Sequence, residues 1–291
     1  MPRAAVLLRL CLWFPWLAVT PGCFYDWDEY VSSSVCAGSW SAPELVLYAP
    51  FNMSTIAVSL DGRELFVLRS DGADPPEFWQ LRRGSLDEPF LEGVAATGLT
   101  NVCVDTPGPL GIDIAASGLV AFVTCQGPNE LEPGPVRMLS RPSGEASFGD
   151  ADSEVGDAWS GGRVSADELT LYSSGHPAGS APLQASRGST DDDFGAPSVI
   201  GGLDLVPLEA PAPSSDTLTL FGTLTDATTQ LGFVTRSDAG APFGDFSAIY
   251  TGLDAAGAPV VQPDCRALYF LAGGTNNGTA VHSREVHALR R

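Results

Sequence analysis

Lysine is missing from all 291 residues, so the 15 basic residues are arginines and stand against 35 acidic ones, a formal net charge of −20. A surface of that sign repels nucleic acid and anionic lipid headgroups, which argues against both as partners. Histidine is almost missing as well, with His176, His282 and His287 alone. No HExxH, GxSxG or phosphate-loop pattern and no CxxC spacing occurs. Those are the patterns that metal hydrolases, serine nucleophiles, nucleotide sites and zinc sites leave in a sequence, so no cofactor and no metal is expected. His282 and His287 fall on the last expected strand and read as hairpin or surface residues. Beyond the N-terminus no apolar run is long enough to span a membrane.

What is present begins with the leader. "MPRAAVLLRLCLWFPWLAVTPGC" has a positive start at Arg3 and Arg9, an apolar run from Leu10 to Val19 and a small Gly22 before Cys23. This is the layout of an export signal. Removing residues 1–22 takes Cys11 away and leaves Cys23, Cys36, Cys103, Cys125 and Cys265, an odd set for an oxidising compartment. If Cys23 carries lipid, four remain and can pair completely. The segment resembles a bacterial lipoprotein signal, although Thr20 stands where that family prefers an aliphatic residue. Ordinary cleavage and secretion is the alternative. Phe24 after the lipidated Cys23 resembles the outer-membrane sorting pattern, and residues 23–37 read as a short tether.

The rest of the chain repeats. "SLDGRELFVL", "AASGLVAFVT", "SADELTLYSS", "SSDTLTLFGT" and "QPDCRALYFL" each place an aromatic five residues after a turn residue. The turn residues are Asp61, Ser117, Asp167, Asp216 and Asp264, spaced by 56, 50, 49 and 48. Arg83, Arg141, Arg187, Arg236 and Arg284 follow them by 22, 24, 20, 20 and 20, and the first four meet a Phe seven residues later. The last repeat stops before its aromatic, while "GSWSAPELVLY", residues 38–48, stands unclaimed at the start with Trp40 as a spare aromatic. An Asp that opens a turn accepts a hydrogen bond from the amide two residues on and fixes a tight hairpin. A period of about fifty residues built of alternating strands and turns reads as a four-stranded antiparallel blade, and such blades pack radially into a β-propeller. The expectation is an all-β propeller over residues 38–291 with five blades, a sixth divergent blade being the alternative. Its N-terminal strand completes the last blade, and the chain is expected to be a monomer.

The unit "S-x-D-G-R-x-L-F" at Ser59 to Phe66, followed by an Arg and a Phe seven residues apart, resembles the WD40-like propeller repeat of the TolB family. Ser117 in place of Asp, and a Gly after the Asp only at Gly62, are departures from that pattern. The resemblance implies a fold and a binding or scaffold role more than a chemistry. The propeller geometry also suggests how cysteines pair. Cys265 falls in the first turn of the last blade and Cys36 just precedes the strand that completes it, so these two are expected to bond and clasp the ring, with Cys103 and Cys125 pairing at the other end. The longer loop is expected to contribute more in the chain-entropy model.

Candidate chemistry is thin. Five-bladed propellers host glycoside hydrolases, which need carboxylates converging across the scissile bond. The expected innermost strands, near Thr55 to Ser59, Leu110 to Ala115, Gly161 to Ser165, Glu209 to Ser214 and Ala258 to Gln262, offer Asp113, Glu209 and the basic Arg163. The repeated arginines fit a structural hydrogen bond or a stack on a neighbour's aromatic, with a basic ring for an anionic ligand as the alternative. "RGSTDDDFG" places Asp191, Asp192 and Asp193 side by side in a variable turn, where neighbouring side chains diverge and lack the spacing of a calcium loop. Asn52 and Asn277 match a glycosylation acceptor that carries little meaning in a bacterial chain. The reading is therefore a non-enzymatic envelope propeller that binds a protein, peptide or glycan on the face carrying loops such as Cys125 to Val136, with a glycosidase-like enzyme as the alternative.

Overall fold

Alternating apolar and polar residues, β-branched side chains and frequent turns give strands almost throughout. The computed structural model describes residues 36, 39–70, 75–127, 133–149, 151–155, 160–175, 179–225, 229–249, 251–253, 257–262, 264–272 and 283–290. The leader, Cys23, His176, His282 and Asn277 lie outside the described residues. Blade 1 comprises β1 (Glu44–Val58), β2 (Glu64–Ser70), β3 (Glu77–Arg82) and β4 (Val94–Ala95), and a short α1 (Thr97–Asn101) leads on. Blade 2 is β5 (Pro109–Ile114), β6 (Val120–Gln126), β7 (Pro133–Ser140) and β8 (Ala151–Glu154). Blade 3 is β9 (Ser160–Val164), β10 (Thr170–Ser174), β11 (Leu183–Ser186) and β12 (Ser198–Val199). Blade 4 is β13 (Leu208–Pro213), β14 (Thr219–Thr225), β15 (Thr229–Thr235) and β16 (Ser247–Ala248). Blade 5 is β17 (Gly257–Val261), β18 (Ala267–Ala272) and β19 (Ser283–Arg290), completed by the start of β1.

Closure works as the spare N-terminal segment implied. β1 pairs with β19 from Glu44↔Ala288 to Met53↔Ser283 and then with β2 from Asn52↔Ser70 to Val58↔Leu65, so one strand serves two blades. The innermost strands β1, β5, β9, β13 and β17 neighbour one another in that order, and β17 returns to β1. A register shift interrupts the pairing of every innermost strand, at Met53/Ile56, Pro109/Gly111, Tyr172/Ser174, Glu209/Ala212 and Gly257/Val260. Bulges of this kind bend and twist a strand. Five of them, one per blade, accompany the curvature of the wall around the channel.

No single core fills the ring. Five apolar clusters lie instead between successive blades, each drawing side chains from two blades. A sheet apolar on both faces cannot stand alone, which is why the ring is the folding unit. The repeated aromatics sit in these layers, each meeting the framing aromatic of the following blade. Phe66 packs on Phe148 at 6.1 Å, Phe122 on Phe194 at 6.3 Å and Phe221 on Trp40 at 5.8 Å, while Tyr172 shares a cluster with Phe243 and Tyr269 with Phe90. Trp40 thus supplies the aromatic that the last repeat lacks.

Candidate functional site

Antiparallel order places the first-to-second and third-to-fourth hairpins of each blade at one end of the ring, the turn face, and all other connections at the far face. At the turn face the repeat motif explains itself. Ser59, Ser165 and Ser214 donate through Oγ to Oδ1 of Asp61, Asp167 and Asp216, and that oxygen accepts the amide two residues on, at Arg63, Leu169 and Leu218. Asp264 accepts from the Arg266 amide in the same way, and Ser117 Oγ from that of Leu119. The next residue is left-handed in every blade: Gly62 and Gly118, but also Glu168, Thr217 and Cys265 with φ of 61°, 56° and 54°. A side chain there costs about 1 kcal/mol. Each of the three makes a contact that glycine could not: Glu168 accepts from Ser117 of the preceding blade, Thr217 from Arg236, and Cys265 bonds Cys36.

The repeated arginines complete this end. Arg83, Arg141, Arg187 and Arg236 lie over Phe90, Phe148, Phe194 and Phe243 at 4.5 to 4.6 Å. Their stacking partner is the Phe of the same blade, where a neighbour's aromatic was expected. Nε donates to the carbonyl of Gly62, Gly118, Glu168 and Thr217, and Nη1 to that of Leu86, Gly144, Thr190 and Ala239. The neighbouring blade supplies the next partner: Tyr269 for Arg83, Glu64 for Arg141, and the Tyr172 hydroxyl, whose pKa burial raises, for Arg236. These arginines tie the two outer turns of a blade together rather than form a basic ring. Arg284 lies on β19. Asp191, Asp192 and Asp193 are exposed on the turn that Arg187 braces, and no metal-holding cluster occurs among the described residues.

Between the turn face and the channel lies a cavity of about 40 Å³. Asp113 and Arg163 line it, both buried, with Arg163 Nη1 3.2 Å from Asp113 Oδ1. Asp113 Oδ2 accepts the Val164 amide at 2.7 Å, which satisfies a free edge of the next blade's innermost strand. Loss of hydration raises the pKa of Asp113, with Arg163 opposing it. Glu209 is not among the lining residues. Asp113 pairs with Phe122, five residues after its turn residue, whereas Glu209 pairs with Thr223, seven after its own, so it stands about 7 Å nearer the far face along the strand direction. The cavity adjoins a wider depression of about 530 Å³ bordered by Ser117, Asp167, Glu168, Thr190 and Asp216, with Ala166 and Ser215 shared by the two.

The far face is made differently. Cys103 bonds Cys125, and Arg137 grips the loop beyond, pairing with both carboxylate oxygens of Asp105 at 2.7 Å and donating to the Val102 carbonyl. The Arg137 bond lowers the pKa of Asp105. Between these two fastenings Val104 is 77% exposed, and Leu205 in the loop before β13 is 95% exposed. Sequence reasoning missed Asp105, Arg137 and Val104 because none of them recurs from blade to blade. Leucine and valine standing outside the repeat in a connecting loop were the available signal. His287 is buried and stacked on Phe270 at 5.7 Å, not at the surface, and Asn52 lies on β1.

Fold and geometry together define a five-bladed β-propeller. No family model and no curated protein matches the sequence. Among solved structures the chain is similar to the α-L-arabinofuranosidase PaAbf62A of Podospora anserina, with TM-score 0.59, 9% identity, and 87% of this chain and 96% of that one covered. It is similar to a thermostable family-43 glycoside hydrolase, at 0.53, 12%, 83% and 91%. TolB from Acinetobacter baumannii gives 0.46, 10%, 83% and 55%. The chain spans 61% of the length of the hydrazine synthase chain of Kuenenia stuttgartiensis that it also matches. At these identities the likeness is one of fold.

Proposed function

We propose that this chain is an exported, non-enzymatic propeller, tethered to the cell envelope through a lipidated Cys23, that binds a protein partner on its far face. The observation that carries the reading is Val104, an apolar side chain held in solvent between a disulfide at Cys103 and a bidentate ion pair at Asp105. A side chain fixed before contact loses little freedom on docking. Asp105 follows Val104 and Asp204 precedes Leu205 in the chain, and Glu154 lies 3.9 Å from the same Arg137 that holds Asp105, so the fitting partner offers apolar side chains flanked by arginine or lysine. Two disulfides suit an oxidising compartment. Cys36 is bonded at the turn face beside blade 5, so a tether ahead of it leaves the far face clear.

The glycosidase alternative draws on the fold of the two hydrolases and asks for a second carboxylate near Asp113. Among the described residues lining the cavity there is none, and both Asp113 oxygens are engaged. Two measurements test the proposal. Intact mass of the membrane-associated protein should show an acyl addition on Cys23, and a mature chain without it overturns the anchor. A photo-crosslinking residue at Val104 or Leu205 in the producing cell should give an adduct of one mass that Asp238 at the turn face does not give. Adducts from Asp238 alone, or aryl-glycoside hydrolysis abolished by Asp113→Asn, overturn the binding face.

A further inference from the structure

The turn-face end of the channel is a second site, separate from the far face. Its cavity is walled by Val58, Ile114, Val164, Pro213, Val261 and Arg163. At about 40 Å³ it has room for a group of about three heavy atoms, since one water needs about 10–15 Å³ measured this way. That is the size of a carboxylate. Arg163 is 4% exposed, and its Nη1 is engaged by the Ile112 carbonyl at 2.9 Å and by Asp113. Its Nε and Nη2 have no hydrogen-bond partner among the described residues. Those two N–H groups are the side-on fork of a guanidinium, the edge that matches both oxygens of a carboxylate.

The surroundings select among carboxylates. The cavity opens beside the depression bordered by Asp167, Glu168 and Asp216, through the shared Ala166 and Ser215. Asp167 and Asp216 use Oδ1 in their own turns, and Asp216 Oδ2 is buried without a partner. A simple anion is repelled by this rim before it reaches Arg163. A ligand with an anion at its tip and a cation a few atoms behind is drawn by both. We propose that the channel mouth binds the free C-terminus of a basic peptide, the terminal carboxylate on Arg163 Nε and Nη2 and the preceding Arg or Lys side chain against Asp167, Glu168 and Asp216. The cavity draws on all five innermost strands and its acidic rim on blades 2 to 4, at the end of the ring opposite Val104 and Leu205, so the site goes beyond the far-face reading and does not depend on it.

Calorimetry and amide NMR on the purified protein test this with three probes: N-acetyl Gly-Arg-Gly as free acid, its C-terminal amide, and the N-acetyl Gly-Glu-Gly acid. The basic free acid should bind and shift the amides of Arg163 and Val164. The amide and the acidic peptide should each bind at least about tenfold more weakly, the loss expected when a charge-assisted pair is removed. Arg163→Lys should lower affinity for the basic free acid, because a point charge does not replace the fork. Glu168→Gln leaves the channel untouched, so it keeps the test valid if Arg163→Lys folds poorly, and it should weaken the basic peptide while leaving N-acetyl Gly-Gly-Gly acid unchanged. Equal binding of acid and amide, no binding of the basic acid, or shifts confined to Val104 and Leu205 would each overturn the proposal.

Discussion

The two faces of the ring hold their loops by opposite means. At the turn face the same contacts recur from blade to blade: a Ser–Asp turn, an arginine joining two hairpins, and a phenylalanine beneath it. At the far face the fastenings occur once, as with the Cys103–Cys125 bond and the grip of Arg137 on Asp105. The repeated end secures the ring against opening and leaves its side chains little freedom to change. The other end rests on that frame, so its loops can differ without cost to the fold.

The largest test removes one disulfide from each face. Cys36→Ser with Cys265→Ser opens the ring closure and should cost about 5 kcal/mol in denaturant unfolding, against about 3 kcal/mol for Cys103→Ser with Cys125→Ser, because the first pair closes the longer loop. A larger loss from the far-face pair would break the comparison. Within the turn face, Arg83→Ala should cost about 3 kcal/mol and Arg187→Ala about 1 kcal/mol, since Arg83 is buried and also donates to Tyr269. Melting of the two variants side by side checks this order.

The faces should also answer pH with opposite sign. Asp113 has its pKa raised by burial, so the folded state holds its proton more tightly and the group detracts from stability as pH rises past its folded value. Asp113→Asn should therefore gain on wild type as pH rises from the ordinary carboxylate range up through the raised folded value. Asp105 has its pKa lowered by Arg137, so its contribution is present above the unfolded value and is lost as pH falls through the folded one. Asp105→Asn should accordingly fall behind wild type at neutral pH and draw level in acid. The smallest effect belongs to the exposed loops: Val104→Ser and Leu205→Ser should change stability by no more than about 0.5 kcal/mol, while far-face crosslinks disappear.

How much of this could be read in advance follows the same division. The turn at Asp61, Asp167, Asp216 and Asp264, the arginines behind them and the N-terminal segment carrying Trp40 are visible because each is a local pattern with a fixed offset. The stacking partner of each arginine is the Phe of its own blade, not the neighbouring blade's aromatic that the repeat suggests. An offset of seven residues does not say on which side of a sheet the two side chains meet, and the third-to-fourth turn brings Phe194 back over Arg187. Asp113 was visible as a buried-strand carboxylate, but its companion was not Glu209. The depth of each residue along its innermost strand decided that, and Arg163 on the next strand lies at the level of Asp113.

The amino-acid order alone determined the ring: its all-β class, its period, its five turns and the strand that closes it. These rest on interactions repeated at constant spacing, and repetition writes a tertiary contact into a one-dimensional pattern. Only the tertiary structure decided the pairs that occur once, Asp113 with Arg163 and Asp105 with Arg137, and with them the cavity and the presented Val104. Such contacts cross between strands at a depth set by bulges and blade packing, which no local spacing encodes.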